Sequence, residues 1–203
     1  MVHQFVIEKL KNNYFALRHG QSGANAKRII LSHPQDGRKR QYALTPTGKD
    51  QVRKSVRRAM TAGWIDNRTI ICSSPLSRCR MTAEIAREEL SITDEIIIDD
   101  RLQERWFGNW EKTLHSNYQK VWDDDKKNPK HTIGNVESAL AVQRRLAALI
   151  GDLERQYQDK NILLVSHGDP LQILQTWFQK KPPSDHRDMP HLSTAGIRKL
   201  EVI

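Results

Sequence analysis

The chain predicts a single three-layer α/β domain over residues 1–203, with a mostly parallel central sheet and helices on both faces. Three observations predict it. Short apolar, β-rich runs alternate with longer segments of helical period, the pattern of strands joined by helical crossovers. One of those segments, residues 136–157, is strongly amphipathic at the 3.6-residue period. A length of 203 residues suits one domain, which at this size buries roughly 70% of its unfolded surface without disulfides or metals.

In chain order, the first strand is expected in YFAL, residues 14–17. TPTGKDQVRKSVRRAM, residues 45–60, opens with helix-entry residues and a proline and reads as a helix. TIICSS, residues 69–74, reads as the second strand, and SRCRMTAEIAREEL, residues 77–90, as a helix with Met81, Ile85 and Leu90 on one side. EIII, residues 95–98, is the third strand candidate. VESALAVQRRLAALIGDLERQY follows as the clearest helix, carried by Val136, Leu140, Leu146, Leu149, Ile150, Leu153 and Tyr157. NILLVSHG, residues 161–168, and IRKLEVI, residues 197–203, complete the strand set. Asp169 and Pro170 read as an N-cap followed by proline at the first helical position. The charge runs RKR at 38–40 and DDDKK at 123–127 read as solvated loops, and spacing leaves Trp106, Trp110 and Trp122 open between core and pocket wall.

Composition limits the partners. With 33 Lys and Arg against 24 Asp and Glu, the formal charge is +9, which favours anionic ligands. The basic residues are scattered among acidic ones with no zinc-finger or RNP-like motif, so nucleic acid is not an expected partner. Cys72 and Cys79 have neither redox-pair nor zinc-site spacing and read as free thiols. The segment MVHQFVIEKLKNN is charged and lacks a continuous apolar core, so no signal peptide and no membrane association are expected, and the cytoplasm is the expected location. Nothing in the pattern speaks to an oligomeric state.

Parallel sheets bind ligands outside the carboxyl ends of their strands, so the residues just past each run matter most. These are Arg18 and His19 after the first, Ser73, Ser74, Pro75 and Arg78 after the second, Asp99, Asp100, Arg101, Glu104 and Arg105 after the third, and Ser166, His167, Gly168 and Asp169 after the fourth. Two histidines, at least two arginines and a glutamate converge on one edge. An arginine beside His19 disfavours the imidazolium by charge repulsion, and a neutral imidazole is a nucleophile. Gly20 and Gly23 serve either turn geometry or close approach of backbone N–H groups to an anion.

These stretches resemble the histidine phosphatase superfamily, which includes the cofactor-dependent phosphoglycerate mutases. RHGQSGAN (18–25) resembles its signature, SSPLSRCRMTAE (73–84) its second block, LQERWFGNWE (102–111) its third and LLVSHGD (163–169) its fourth, in the expected order. The resemblance implies a phosphoglycerate mutase-like fold, His19 as the phosphoryl-accepting nucleophile, Arg18, Arg78 and His167 around the phosphoryl group, and Glu104 as proton donor. It further implies a substrate side lined by Gln21, Ser22, Asn25 and Gly168, with Glu137 as a weaker candidate. Gln21 stands where many relatives have Glu, Lys112 where many have Gly, and Val136 where phosphatases often have Gly.

The chemistry suits these residue types. Phosphoryl transfer spreads charge over three oxygens, which two guanidiniums can clamp in fork geometry. A histidine nucleophile splits the displacement in two, and a carboxylic acid of raised pKa protonates the leaving alkoxide and then activates water. No metal or other cofactor is expected, since the arginines take the neutralising role. Mutases carry a long arginine-rich insertion after the third block, and here only HSNYQKVWDDDKKNPKHTIGN (115–135) intervenes. The expected function is hydrolysis of small phosphorylated metabolites. A phosphoglycerate mutase is the alternative, and a non-catalytic phospholigand-binding protein the alternative of another class.

Overall fold

The computed structural model describes residues 9–202. The N-terminal segment read above therefore lies largely outside the described residues, as does the last residue of the fifth apolar run.

Among the described residues five strands form one sheet: β1 (Asn13–Arg18), β2 (Ile70–Ser73), β3 (Ile97–Ile98), β4 (Asn161–Ser166) and β5 (Ile197–Leu200), in the order β3-β2-β4-β1-β5. Four run parallel and β5 closes one edge antiparallel to β1. The helices are α1 (Gly23–Ala26), α2 (Pro34–Gly37), α3 (Pro46–Thr61), α4 (Ser77–Glu89), α5 (Tyr118–Lys127), α6 (Ala139–Gln156) and α7 (Gly168–Phe178).

Strand alternation divides the core into two layers. Tyr14 and Ala16 of β1 and Ile162 and Leu164 of β4 face Leu146, Ile150, Leu171 and Leu174 of α6 and α7. The residues between them, Phe15, Leu17, Leu163 and Val165, face Val52, Val56, Ala83 and Ala86 of α3 and α4. Truncating any of these large aliphatic side chains to alanine is expected to cost about 2–5 kcal/mol. A smaller cluster of Ile30, Phe107, Val121 and Val136 joins two excursions, roughly residues 22–44 and 106–136. They are pinned together where Ile30 N–H donates to Thr113 and Lys112 N–H to Ile30.

Local chemistry explains the helix entries and corrects several expectations. The Thr45 hydroxyl accepts from Gly48 N–H ahead of Pro46, so α3 starts as its sequence suggests. Val136 lies outside α6: Ser138 is extended and its hydroxyl accepts from Ala141 N–H, which sets the helix start three residues later, at Ala139. Asp169 is not a cap, because α7 begins at Gly168 after His167 and the Asp169 carboxylate binds elsewhere. DDDKK is not a solvated loop: it is the end of α5, and Asp125 is fully buried. On α4 the buried face is made by Cys79, Thr82, Ala83, Ile85 and Ala86, with Met81 only half-buried.

Gly20 and Gly23 have a third explanation. Neither has positive φ. A Cβ on Gly20 would stand 2.4 Å from the Gly48 carbonyl oxygen, and one on Gly23 would stand 2.3 Å from that of Gln41. Close approach of the protein's own backbone requires both glycines.

Candidate active site

The central pair of parallel strands builds the site. Arg18 of β1 and Ser166 of β4 are register partners, so the next residues, His19 and His167, leave the sheet side by side with ring centroids 5.2 Å apart. The first turn of α4 lays Arg78 between them. Its Nε is 3.1 Å from His19 Nε2 and 3.2 Å from His167 Nδ1, and its Nη2 donates to the Leu31 carbonyl at 3.0 Å.

One N–H serving two ring nitrogens requires a lone pair on each, which assigns both tautomers. His19 carries its proton on Nδ1 and donates it to the Gly20 carbonyl at 2.8 Å. His167 carries its proton on Nε2 and donates it to the Ser74 hydroxyl at 2.9 Å. Both imidazoles are neutral. Burial pushes their pKa values well below the usual histidine range, Arg78 pushes them further, and Arg18 adds a smaller repulsion. The sequence-adjacent arginine thus ranks third among the causes at His19.

Glu104 completes the cluster from the loop after β3. Its Oε1 accepts Arg105 N–H at 3.0 Å, and its Oε2 lies 3.7 Å from Arg78 Nη2 and 3.8 Å from His167 Nδ1. Burial raises its pKa to about 7, against the pull of Arg78. Asp99 pairs instead with Arg101, and Glu111 accepts from Ser32 and His33 N–H, so Glu104 alone of these nearby carboxylates joins the cluster. The Cys79 sulfur approaches His167 Nε2 at 3.4 Å, but burial holds the thiol up at about 12, so it is protonated and inert.

Arg18 approaches from the other side. Its Nη1 donates to the Leu192 carbonyl at 2.8 Å and lies 3.1 Å from His191 Nε2. Its guanidinium rests on Gly168, where a Cβ would stand 3.2 Å from the Arg18 Cζ. Two buried guanidinium nitrogens, Arg18 Nε and Arg78 Nη1, have no acceptor among the described residues. A buried donor left unsatisfied costs about 1–3 kcal/mol. Such donors beside two neutral imidazoles and a carboxyl of raised pKa suit an anion that shares its oxygens among them.

The remaining expected site residues divide. Asn25 Oδ1 accepts from Ser22 N–H and hydroxyl, and Ser22 Oγ accepts from Asn25 N–H, so these two side chains close the cap of α1. That occupies the fully buried Ser22 hydroxyl and leaves the Asn25 amide nitrogen as a donor. The Gln21 side chain accepts from the Thr45 hydroxyl at 2.7 Å. Glu137 is held by Arg145 Nε at 2.8 Å.

Behind the site lies a second cluster. The fully buried Arg105 binds Asp125 at 2.6 and 2.8 Å, Asp169 at 3.2 Å and the Glu137 carbonyl at 2.6 Å. His131 Nε2 meets Asp125 at 2.9 Å, and Trp122 Nε1 donates to Asp169 at 2.8 Å. Sequence reading missed the pairing and also missed Tyr118, whose phenol is close enough to Glu104, Arg78 and Arg18 to interact electrostatically with each. The available signal was the aromatic spacing of Tyr118 and Trp122, one helical turn apart. Arg187 lies in a short 3-10 helix, Pro183–Asp188, and His191 in the irregular stretch that follows it, where no periodicity points to them. Among the described residues no group of three or more His, Cys, Asp or Glu side chains is arranged to hold a metal ion.

The model of the histidine phosphatase superfamily (branch 1) matches residues 14–203. The chain is 28% identical over 160 residues to the uncharacterized phosphatase PhoE of Bacillus subtilis, covering 79% of this chain and 74% of that protein. It is 28% identical over 165 residues to the adenosylcobalamin/alpha-ribazole phosphatase of Salmonella typhimurium, covering 78% and 75%. Among solved structures, the mycobacterial glucosyl-3-phosphoglycerate phosphatase with VO3 superposes with a TM-score of 0.74 at 19% identity, covering 92% of this chain and 90% of that one. The phosphoserine phosphatase of Entamoeba histolytica with 3-phosphoglyceric acid does so at 0.71 and 25% identity, covering 93% and 89%. The chain belongs to the histidine phosphatase superfamily and is a phosphatase with that family's α/β fold.

Proposed function

We propose that this protein, acting as one domain in the cytoplasm, hydrolyses small phosphomonoesters through a phosphohistidine on His19. The observation that carries this reading is the placement of Arg78: one guanidinium touches both imidazoles, holds their lone pairs towards a common point and keeps a second N–H free of protein acceptors.

The steps follow from the tautomers. Arg78 Nε–H turns from His19 to a phosphoryl oxygen, releasing the Nε2 lone pair. That lone pair forms the P–N bond as the ester P–O bond breaks, and the departing alkoxide takes the proton of Glu104. The Gly20 carbonyl holds the Nδ1 proton and so supports the charge that develops on the ring. Arg18, Arg78 and the Asn25 amide stabilise the equatorial oxygens. Water then attacks phosphorus, Glu104 takes its proton, the P–N bond breaks and Nε2 recovers its lone pair. The reading needs no metal, because guanidiniums supply the positive charge. The short connection between the third block and α6 favours water over a second alcohol as acceptor. Relatives whose structures hold 3-phosphoglycerate or phosphoserine support a small phosphorylated substrate.

The test is single-turnover labelling with a phosphate-labelled substrate. An acid-labile, base-stable phosphoenzyme is expected, and His19→Ala should lose label and turnover together. Near wild-type turnover by that variant would overturn the mechanism.

A further inference from the structure

A third guanidinium stands beside the phosphoryl cluster without a carboxylate of its own. Arg18 rests on Gly168, the first residue of α7, and Gln172 lies one helical turn further along the same face. The Gln172 side-chain oxygen accepts from Arg187 Nη1. The Arg187 guanidinium is stacked on Trp122, with Cζ 3.6 Å from the ring centroid. Trp122 is itself fixed, because its Nε1 donates to Asp169 and its ring stacks on Tyr118 at 5.4 Å with an interplanar angle of 6°. Tyr118 reaches back to the electrostatic neighbourhood of Glu104, Arg78 and Arg18.

The wall Tyr118–Trp122–Arg187 therefore runs outward from the reacting centre. Its cation is oriented by a stack and a hydrogen bond, and among the described residues it forms no ion pair. Arg18 and Arg187 repel each other, and the carboxylate that attracts Arg187, Asp169, is already paired with Arg105. Resting on the phosphatase reading above, we infer that Arg187 is a specificity residue that binds a carboxylate on the leaving alcohol of the substrate. A carboxylate fits better than a second phosphoryl group. The first phosphoryl site has two guanidiniums, whereas here there is one, and the lone pair of His191 Nε2 already faces the Arg18 Nη1 N–H at 3.1 Å. A single planar fork matches a monoanion bidentately.

Two ligands that differ only at this group give the test: 3-phosphoglycerate and glycerol 3-phosphate, titrated calorimetrically into the His19→Ala variant so that binding is read without turnover. The carboxylate should tighten binding by about 10- to 100-fold, the range of a charge-assisted pair. Adding Arg187→Gln should collapse that ratio towards one, and Arg187→Lys should restore part of it. An equal affinity for the two ligands, or a ratio untouched by Arg187→Gln, overturns the inference. So does an Arg187 effect on fructose 1,6-bisphosphate relative to fructose 6-phosphate that exceeds the carboxylate effect. Failure of the phosphatase reading would show elsewhere, as absence of turnover and phosphoenzyme in the unmodified protein.

Discussion

Two clusters of buried charge lie back to back in this protein, one around Arg78 and one around Arg105, and they are built on opposite principles. Arg78 is only 2% exposed, yet it faces two neutral imidazoles and a second arginine, and among the described residues its nearest carboxylate oxygen is 3.7 Å away and one of its nitrogens has no acceptor. Arg105 is also inaccessible, but it is gripped by two carboxylates and a backbone carbonyl. The second cluster is complete by itself. The first becomes complete only when a ligand brings negative oxygens. An uncompensated buried charge raises the free energy of the fold, so it persists where binding or chemistry uses it. A compensated one fixes geometry, here by tying α5, α7 and the Glu104 loop to one another.

This contrast breaks first at Arg105. Arg105→Met leaves Asp125 and Asp169 buried with their shared cation gone, and the expected destabilisation is about 3–5 kcal/mol. A urea titration measures it, and adding Asp125→Asn should recover a substantial part by removing one stranded charge. A loss below about 1 kcal/mol would mean that the acidic cluster is not a strut.

Arg78→Ala should do the reverse. Losing a transition-state clamp typically lowers kcat by about 10²- to 10³-fold, equivalent to roughly 3–4 kcal/mol. The folded state meanwhile sheds a cation that repels Arg18, so the urea midpoint should hold or rise. A variant that unfolds readily while its remaining folded fraction turns over normally would reverse the roles assigned to the two arginines.

The two clusters also differ in how far sequence could reveal them. His19, Arg78, Glu104 and His167 were legible because each follows an apolar run, and a parallel sheet carries every such exit to one edge. Register does the rest, since pairing Arg18 with Ser166 forces the histidines together. Asp125 was not legible. It sits in a run of like charge that local hydropathy scores as solvent-facing, and its burial depends on Arg105, twenty positions earlier, and on His131. Asp169 misled for the same reason: beside Pro170 it has the local form of a cap, but its tertiary partners Arg105 and Trp122 bind the carboxylate more strongly than a helix end would. β3 shrank to two residues because it pairs only at Cys72 and Ser73 on the sheet edge.

The smallest expected effect sharpens the comparison at Glu104, the residue where the clusters meet. Its pKa of about 7 lies above the ordinary 4.5. Between those values the folded protein holds a proton that the unfolded chain has released, so stability is full below about pH 4.5 and falls as pH rises towards 7. Glu104→Gln removes that dependence. The difference in stability between variant and wild type should grow by roughly 2–3 kcal/mol across this window and then level off. Taking the difference cancels the opposite trend of His19 and His167, whose lowered pKa values make stability rise with pH. The same proton governs rate. Phosphoenzyme formation from an alkyl phosphate should decline above about pH 7, where Glu104 can no longer protonate the leaving oxygen. From p-nitrophenyl phosphate, whose leaving group needs no proton, the decline should be weak. Rapid quench isolates that step from the water attack that Glu104 also assists. Glu104→Gln should slow the alkyl ester by about 10²-fold or more and the nitrophenyl ester far less. Equal losses would remove Glu104 from the acid role and direct the same pair of substrates to Glu137.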